Sequence, residues 1–327
     1  MKAIQITSYD GPRGLTYDTL PEPEPAPEQV ALNVEFAGAN YVEALFAGGF
    51  VPKPLPWVPG IEAAGRIRAL GERVEGLAVG DRVAALTINA GGAYGQVAVT
   101  HAQLVAPIPA GMDPSLASVV PSNTTTALIS LERVAHLRPG EHVLVHAAAG
   151  GLGSQFGQIA RTLGAGRVVG VVGGEEKKQA ALDLGYDEVW LRADLENAEP
   201  GQFDVIADPV AGPGRITSLE LLRLGGRLLA VGDASQAGDQ VVSSNTLWLK
   251  GIGVHGFNLG AMSAAYPRIV GTYLRRALAL VASGEVTVQI AERAPIQDAP
   301  RVLTALRDGR TIGKTVFVHE RPTGSQA

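Results

Sequence analysis

Val143-Leu-Val-His-Ala-Ala-Ala-Gly-Gly-Leu-Gly153 joins a short apolar run to a glycine-rich turn, and Ser154-Gln-Phe-Gly-Gln-Ile-Ala-Arg-Thr-Leu163 carries it into a helix that stops at Gly164. A continuous apolar run of this length reads as a strand buried on both faces. Measured against the spacing G-x-G-x-x-G, the glycine places fall on Ala148, Gly150 and Gly153, so alanine stands in the first. Strand, turn and helix start in this order present free N–H groups to an anion. Gly150 is expected to let the backbone approach a pyrophosphate, Gly153 to let the helix pack on the sheet, and Ala149, Gly151 and Leu152 to complete a dinucleotide turn.

Outward from this turn, apolar runs alternate with helix-length segments. Val168 to Val172, Glu188 to Leu191, Val205 to Asp208 and Arg227 to Val231 read as strands. Ser154 to Leu163, Glu175 to Leu184 and Gly214 to Arg223 read as helices, stopped by Gly164, Gly185 and Gly225. The alternation predicts an α/β fold with a doubly wound, parallel Rossmann sheet, and Gly253 to Phe257 would be its edge strand. Residues 1–120 instead show short apolar runs broken by Pro and Gly, such as Val30 to Phe36, Ala63 to Ala69, Arg82 to Leu86 and Gln96 to Val99, which predict a mostly antiparallel β domain. After Phe257 come a helix from Tyr266 to Ser283, a strand from Val286 to Ile290, a helix around Ala299 to Asp308 and a strand from Thr315 to Val318. The expected organisation is a first domain over 1–120, a dinucleotide-binding domain over 121–258, and a return to the first domain over 259–327. The tail from His319 to Ala327 has no apolar period and is expected to fray.

About 20 residues past a glycine-rich turn, an NAD-binding fold places Asp or Glu to bind the ribose 2′-hydroxyl. Here the second strand ends in Val172, Gly173 and Gly174, without a carboxylate to repel a 2′-phosphate. Lys177 just beyond, and Arg192 at the end of the third strand, are candidate cations for that phosphate, so NADPH is expected over NADH.

The 327 residues exceed what one core usually supports, roughly 250 to 300. Lys plus Arg number 27 against 32 for Asp plus Glu, a net charge of -5 that offers no field for nucleic acid or an anionic membrane. No cysteine occurs, which removes disulfides, thiolate metal sites and a cysteine nucleophile. No apolar stretch approaches the roughly 20 residues that span a bilayer, and Met1 to Pro12 lacks a signal-peptide run, so a cytoplasmic protein is expected. Six histidines show no metal-ligand spacing; His142 and His146 are expected to be structural, and His255 to approach the cofactor. There is no G-x-S-x-G, and Gly153-Ser-Gln-Phe-Gly157 belongs to the dinucleotide helix.

The turn, together with Gly60-Ile-Glu-Ala-Ala-Gly65, Val79-Gly-Asp-Arg-Val83, Gly38-Ala-Asn-Tyr-Val42 and Gly313-Lys314, resembles the medium-chain dehydrogenase/reductase superfamily, and within it the zinc-independent quinone oxidoreductase branch. The resemblance implies a GroES-like catalytic domain made from both chain ends, an inserted Rossmann domain, a cleft that takes the nicotinamide, and homodimers through the edge strand. Zinc-dependent members carry Gly-His-Glu where this chain has Gly60-Ile-Glu62, and isoleucine cannot ligate a metal. By position, Asn40 and Thr126 would lie near the nicotinamide, Lys177 would hold the 2′-phosphate, and Val231, Gly232, His255, Phe257, Asn258 and Lys314 would border the cofactor. The family's Asn-x-x-Asp stands here as Asn40-Tyr-Val-Glu43.

Hydride delivery to a quinone, or to the β-carbon of another conjugated carbonyl compound, needs orientation more than covalent help, with a donor for the oxygen that gains charge. Asn40 and Tyr41 are the candidate catalytic residues, Tyr41 also as proton donor. Phe46, Phe50, Trp57 and Tyr94 are expected to line the substrate cleft. Two other functions fit the same residues: an enoyl or alkenal reductase acting on a specific enone or thioester, and an NADPH-binding sensor or structural protein without turnover.

Overall fold

The computed structural model describes residues 1–320. The chain divides into two compact units: Met1–Thr125, Leu259–Gly284 and the residues from Val288 onward form unit 1, and Thr126–Asn258 with Glu285–Thr287 form unit 2.

In unit 1 the strands β1 (Lys2–Ile6) and β2 (Leu15–Thr19) pair antiparallel as a separate two-stranded sheet. They are followed by β3 (Gln29–Gly38), α1 (Tyr41–Ala47), β4 (Glu62–Leu70), β5 (Arg82–Leu86), β6 (Val97–His101), β7 (Val105–Pro107), α2 (Pro114–Ala117) and α3 (Asn123–Ile129), the last continuing into unit 2. Long β3 carries the sheet: it pairs antiparallel with β4, with Leu32 opposite Ile67, and also with β6. Alternate residues of these strands enter two apolar clusters, one around Val30, Leu32, Ile67 and Val83, the other around Ile4, Ile61, Tyr94 and Phe317.

Unit 2 contains β8 (His142–His146), α4 (Gly153–Thr162), β9 (Arg167–Val172), α5 (Lys178–Leu182), β10 (Glu188–Leu191), β11 (Phe203–Asp208), α6 (Pro213–Glu220), β12 (Leu222–Ala230), α7 (Ser244–Lys250) and β13 (Gly253–Gly256). The strands form one parallel sheet in the order β10-β9-β8-β11-β12-β13. Val143, Leu144 and Val145 are fully buried, as a strand covered by helices on both faces must be. The order reverses between β8 and β11, and in such sheets ligands bind beyond the carboxyl ends of the strands at that point.

The chain then returns to unit 1 with α8 (Leu259–Ala265), α9 (Pro267–Ala282), β14 (Ile290–Pro295), α10 (Ala299–Arg307) and β15 (Lys314–Val318). β15 pairs with β3 antiparallel and with β14 parallel, completing a sheet in the order β14-β15-β3-β4-β5-β7.

Three expectations need correction. The strand expected over Val286 to Ile290 begins only at Ile290, because Thr287 is held to α4: its N–H donates to Gln158 Oε1 at 2.7 Å and its carbonyl accepts from Gln155 and Gln158. Gly225 does not stop a helix; α6 ends at Glu220, and Gly225 lies inside β12 with its N–H on Gly251 O. His319 does not fray: it is buried, with Nε2 2.9 Å from Ala93 O, whereas residues 321–327 of the expected tail lie outside the described residues.

Candidate active site

The glycine-rich turn leaves β8 through Ala147, whose φ of 53° is left-handed, and Ala147 O accepts the Gly150 N–H at 2.8 Å. α4 starts at Gly153, where a Cβ would stand 2.1 Å from Ala147 O, so only glycine permits this approach. Alanine in the first glycine place is accommodated across the sheet: a Cβ at Gly170 on β9 would stand 2.7 Å from the Ala148 methyl. A residue not anticipated from sequence, Tyr186, fixes the helix start. Its buried phenol donates to Gly153 O at 2.7 Å, and its ring occupies the space beside Gly157, where a Cβ would come within 2.4 Å. The spacing of Gly153, Gly157 and Gly170 is the only signal of it in the sequence.

The carboxyl edge of the sheet gathers most of the expected cofactor residues. Ala149, Gly150, Gly151, Leu152 and Gly153 follow β8, Gly173 and Lys177 follow β9, Arg192 follows β10, Val231 and Gly232 follow β12, and Phe257 and Asn258 follow β13. His255 lies within β13 opposite Leu229, with its side chain exposed. Thr126 is on α3, buried. Arg192 reaches toward β9: a Cβ at Gly173 would stand 3.7 Å from its Nη2, and no ion pair holds it among the described residues. Lys177 sits in the turn after Gly174, beside the Lys178–Glu175 ion pair at 3.1 Å.

At the end of β11, Asp208 accepts the N–H groups of Val210 and Ala211 at 2.8 Å each and pairs with Arg215 Nε at 2.6 Å. Arg215 also donates to Gly232 O at 2.9 Å, which ties the ends of β11 and β12 together. His146 is buried with Nε2 2.8 Å from Ser218 Oγ, whose own proton goes to Gly214 O. Burial, and then the Arg192 and Arg215 charges, hold its pKa below the ordinary value against the opposing Asp208 carboxylate. His146 is therefore a neutral structural group, as expected. A turn cleared by glycine, a second strand without a carboxylate and an unpaired arginine beside it fit a dinucleotide that carries an additional phosphate.

Unit 1 holds the residues expected to act on substrate, and here three expectations change. Lys314 does not present its ammonium to a cofactor. It is buried, and its three donors go to Ala39 O at 2.9 Å, Asn40 Oδ1 at 2.6 Å and Glu62 Oε1 at 2.8 Å. Asn40 also donates Nδ2 to Glu62 Oε1 at 2.9 Å, so its amide belongs to this network and acts as a positioning group rather than as a donor open to substrate. Glu43 binds the start of α1 to the neighbouring loop, one oxygen accepting the Asn40 N–H at 2.9 Å and the other the Ile61 N–H at 3.1 Å. Tyr41, the first residue of α1, is half-buried. Phe46 and Tyr94 pack in the core of the unit rather than lining an open surface, whereas Phe50 is exposed and Trp57 packs edge-on to Phe46 with ring centroids 5.3 Å apart. Ile61, at the position of the zinc-dependent histidine, is in the same core.

Residues 26–110 match the family described as alcohol dehydrogenase GroES-like domain, and residues 151–275 the family described as zinc-binding dehydrogenase. A quinone oxidoreductase of Pseudomonas aeruginosa is 32% identical over 341 residues, covering 97% of this chain and 99% of that one. The crystal structure of Escherichia coli quinone oxidoreductase complexed with NADPH superposes with a TM-score of 0.85 at 27% identity, covering 97% of this chain and all (100%) of that one. A polyketide synthase of Streptomyces halstedii is 35% identical over 292 residues, which are 88% of this chain but 5% of the synthase. Zinc-type glycines around an isoleucine, the parallel sheet with its glycine-cleared turn and the full-length similarity to the Pseudomonas quinone oxidoreductase agree: the chain belongs to the quinone oxidoreductase branch of the medium-chain dehydrogenase/reductase superfamily.

Proposed function

We propose that this chain is an NADPH-dependent, zinc-independent oxidoreductase that reduces a quinone or another conjugated carbonyl compound. The observation that carries the reading is the carboxyl edge of the parallel sheet, where Arg192, with no ion pair among the described residues, stands over Gly173 and β9 ends in two glycines. NADPH, when bound, supplies the hydride. Gly150 is assigned the close backbone approach to its pyrophosphate and the N–H groups from Gly151 to Gly153 the hydrogen bonds to it, Arg192 and Lys177 are assigned to its 2′-phosphate, and Thr126, Val231, Gly232, His255, Phe257 and Asn258 to its border. Tyr41 is assigned the donor role toward the acceptor oxygen that gains charge, and its hydroxyl or water returns the proton. Asn40, Glu43 and Lys314 fix the start of α1 from which Tyr41 projects.

The chain is further proposed to be a cytoplasmic homodimer joined through β13. Support for the dimer comes from the free edge of that strand and from exposed Leu224, Trp248 and Leu249 nearby, Trp248 being 76% accessible. The cytoplasmic location follows from the intracellular cofactor; among the described residues no helix is long and apolar enough to cross a membrane.

The polyketide synthase similarity favours a second reading, reduction of an enoyl thioester. Mixing the purified chain with NADPH or NADH and a panel of quinones, 2-alkenals, cyclic enones and enoyl thioesters, while following nicotinamide absorbance, separates the readings. NADPH loss with quinones supports the first, and preference for a thioester the second. Saturable NADPH binding without oxidation by any acceptor would leave only a sensor or structural role.

A further inference from the structure

A cavity of about 700 Å³ opens on unit 1, and no residue of the glycine-rich turn lines it. One wall is formed by Arg73 to Leu77 and by the turn after β6, and the other by the start of α9. Helix and turn meet at backbone distance: a Cβ at Gly271 would stand 1.9 Å from Gln103 O, so α9 meets the turn only because glycine occupies that position. Arg268 and Arg275 lie three residues before and four residues after Gly271, spacings that share one helix face. Both arginines are exposed at the border of the α9 face that buries Val270, Gly271 and Leu274, and both line the cavity.

Neither has an acidic partner among the described residues; Arg275 donates only to Thr272 Oγ1 on its own helix, at 3.1 Å. Across the groove, Arg73 Nη2 is 3.5 Å from Glu28 Oε1, and His101 Nε2 is 3.7 Å from Glu28 Oε2. Glu75 is the other carboxylate of the lining. Three arginines thus face two glutamates in a chain of net charge -5, an excess of positive charge that is local to a concave surface. The volume is that of a small-molecule site, and exposed Tyr266 at its rim offers a ring face to an apolar remainder.

We propose that this groove is a second binding site, separate from the cofactor edge, for a small molecule carrying a phosphate or carboxylate group that Arg268 and Arg275 hold. The test is isothermal titration calorimetry of the full chain at low ionic strength with inorganic pyrophosphate and, separately, tricarballylate. Saturating NADP⁺ is present so that the glycine-rich turn does not answer for the groove. One probe molecule per chain is expected to bind, and Arg268→Glu or Arg275→Glu is expected to weaken binding about tenfold or more through like-charge repulsion. Arg268→Gln and Arg275→Gln repeat the comparison without reversing charge, and melting curves verify that each variant is folded. Binding of pyrophosphate alone identifies a phosphate ester and binding of tricarballylate alone a carboxylate, either of which supports the site. Failure of both probes to bind, or affinity unchanged in all four folded variants, overturns it.

Discussion

Arg192 and Lys314 are both cations expected at the cofactor, and their environments separate them. Lys314 meets three acceptors and is enclosed, whereas the Arg192 guanidinium is exposed over Gly173. The difference was not legible in the sequence, because Glu62 lies 252 residues from Lys314 and the pair forms only when β15 is laid beside β3. Tyr186 was hidden for a similar reason: nothing local marks it, and its contacts with Gly153, Gly157 and Gly170 require the packed sheet and helix. The turn itself was legible, since the steric demand on Gly153 arises from residues adjacent in sequence. If Arg192 holds the 2′-phosphate by a charge-assisted pair, Arg192→Ala should raise the KM for NADPH by about tenfold while leaving that for NADH within about twofold. Steady-state kinetics with both cofactors check this, and equal effects on the two would remove Arg192 from the phosphate site.

Elements buried on both faces were the most legible. β8, β9 and β11 are nearly continuous runs of valine, leucine, isoleucine and alanine with no solvent face to break the pattern. β2 escaped notice and β14 was expected too early because Leu15-Thr-Tyr-Asp-Thr19 and Ile290-Ala-Glu-Arg-Ala-Pro295 each bury only one residue, so ladder partners rather than apolar patterning make them strands. At the edge of the parallel sheet, β13 has no second neighbour among the described residues, and Leu224 packs against Gly251 at the end of α7, near Trp248 and Leu249. Desolvating these apolar groups would favour pairing of two copies. Trp248→Glu combined with Leu249→Glu is therefore expected to convert a dimer to monomers in size-exclusion chromatography with light scattering, with melting behaviour showing that the monomer is folded. A wild-type monomer, or a dimer indifferent to both charges, would remove this edge as the interface.

Across the whole chain, a few buried titratable groups set how stability follows pH. Glu43 has its pKa pushed up to about 8 from 4.5, first by burial and further by the Glu62 carboxylate, against the opposing Lys314 charge and two N–H donors. The folded state thus keeps a proton that the unfolded chain releases, so this group's contribution is complete below about pH 4.5 and is lost as pH rises through 8. The histidines act in the opposite sense. Burial lowers His319 from 6.5 to about 4 and also lowers His146, so the unfolded chain takes up their protons first and stability falls as pH drops below 6.5. Between about 4.5 and 6.5 His319 offsets the carboxyl, His146 adds to that effect just below 6.5, and above 6.5 the carboxyl acts alone, which places the maximum near pH 6.5. Thermal unfolding from pH 5 to 9 should show that maximum, with an alkaline limb falling by about 1.4 kcal/mol per pH unit until Glu43 has ionised. Glu43→Gln keeps the size of the neutral acid and has no proton to lose, so it should flatten the limb between pH 6.5 and 8 and steepen the rise between about 4.5 and 6.5, where the carboxyl no longer opposes the histidines. An alkaline limb as steep in that variant as in the parent would mean that another group carries the loss and that Glu43 is ionised in the folded protein.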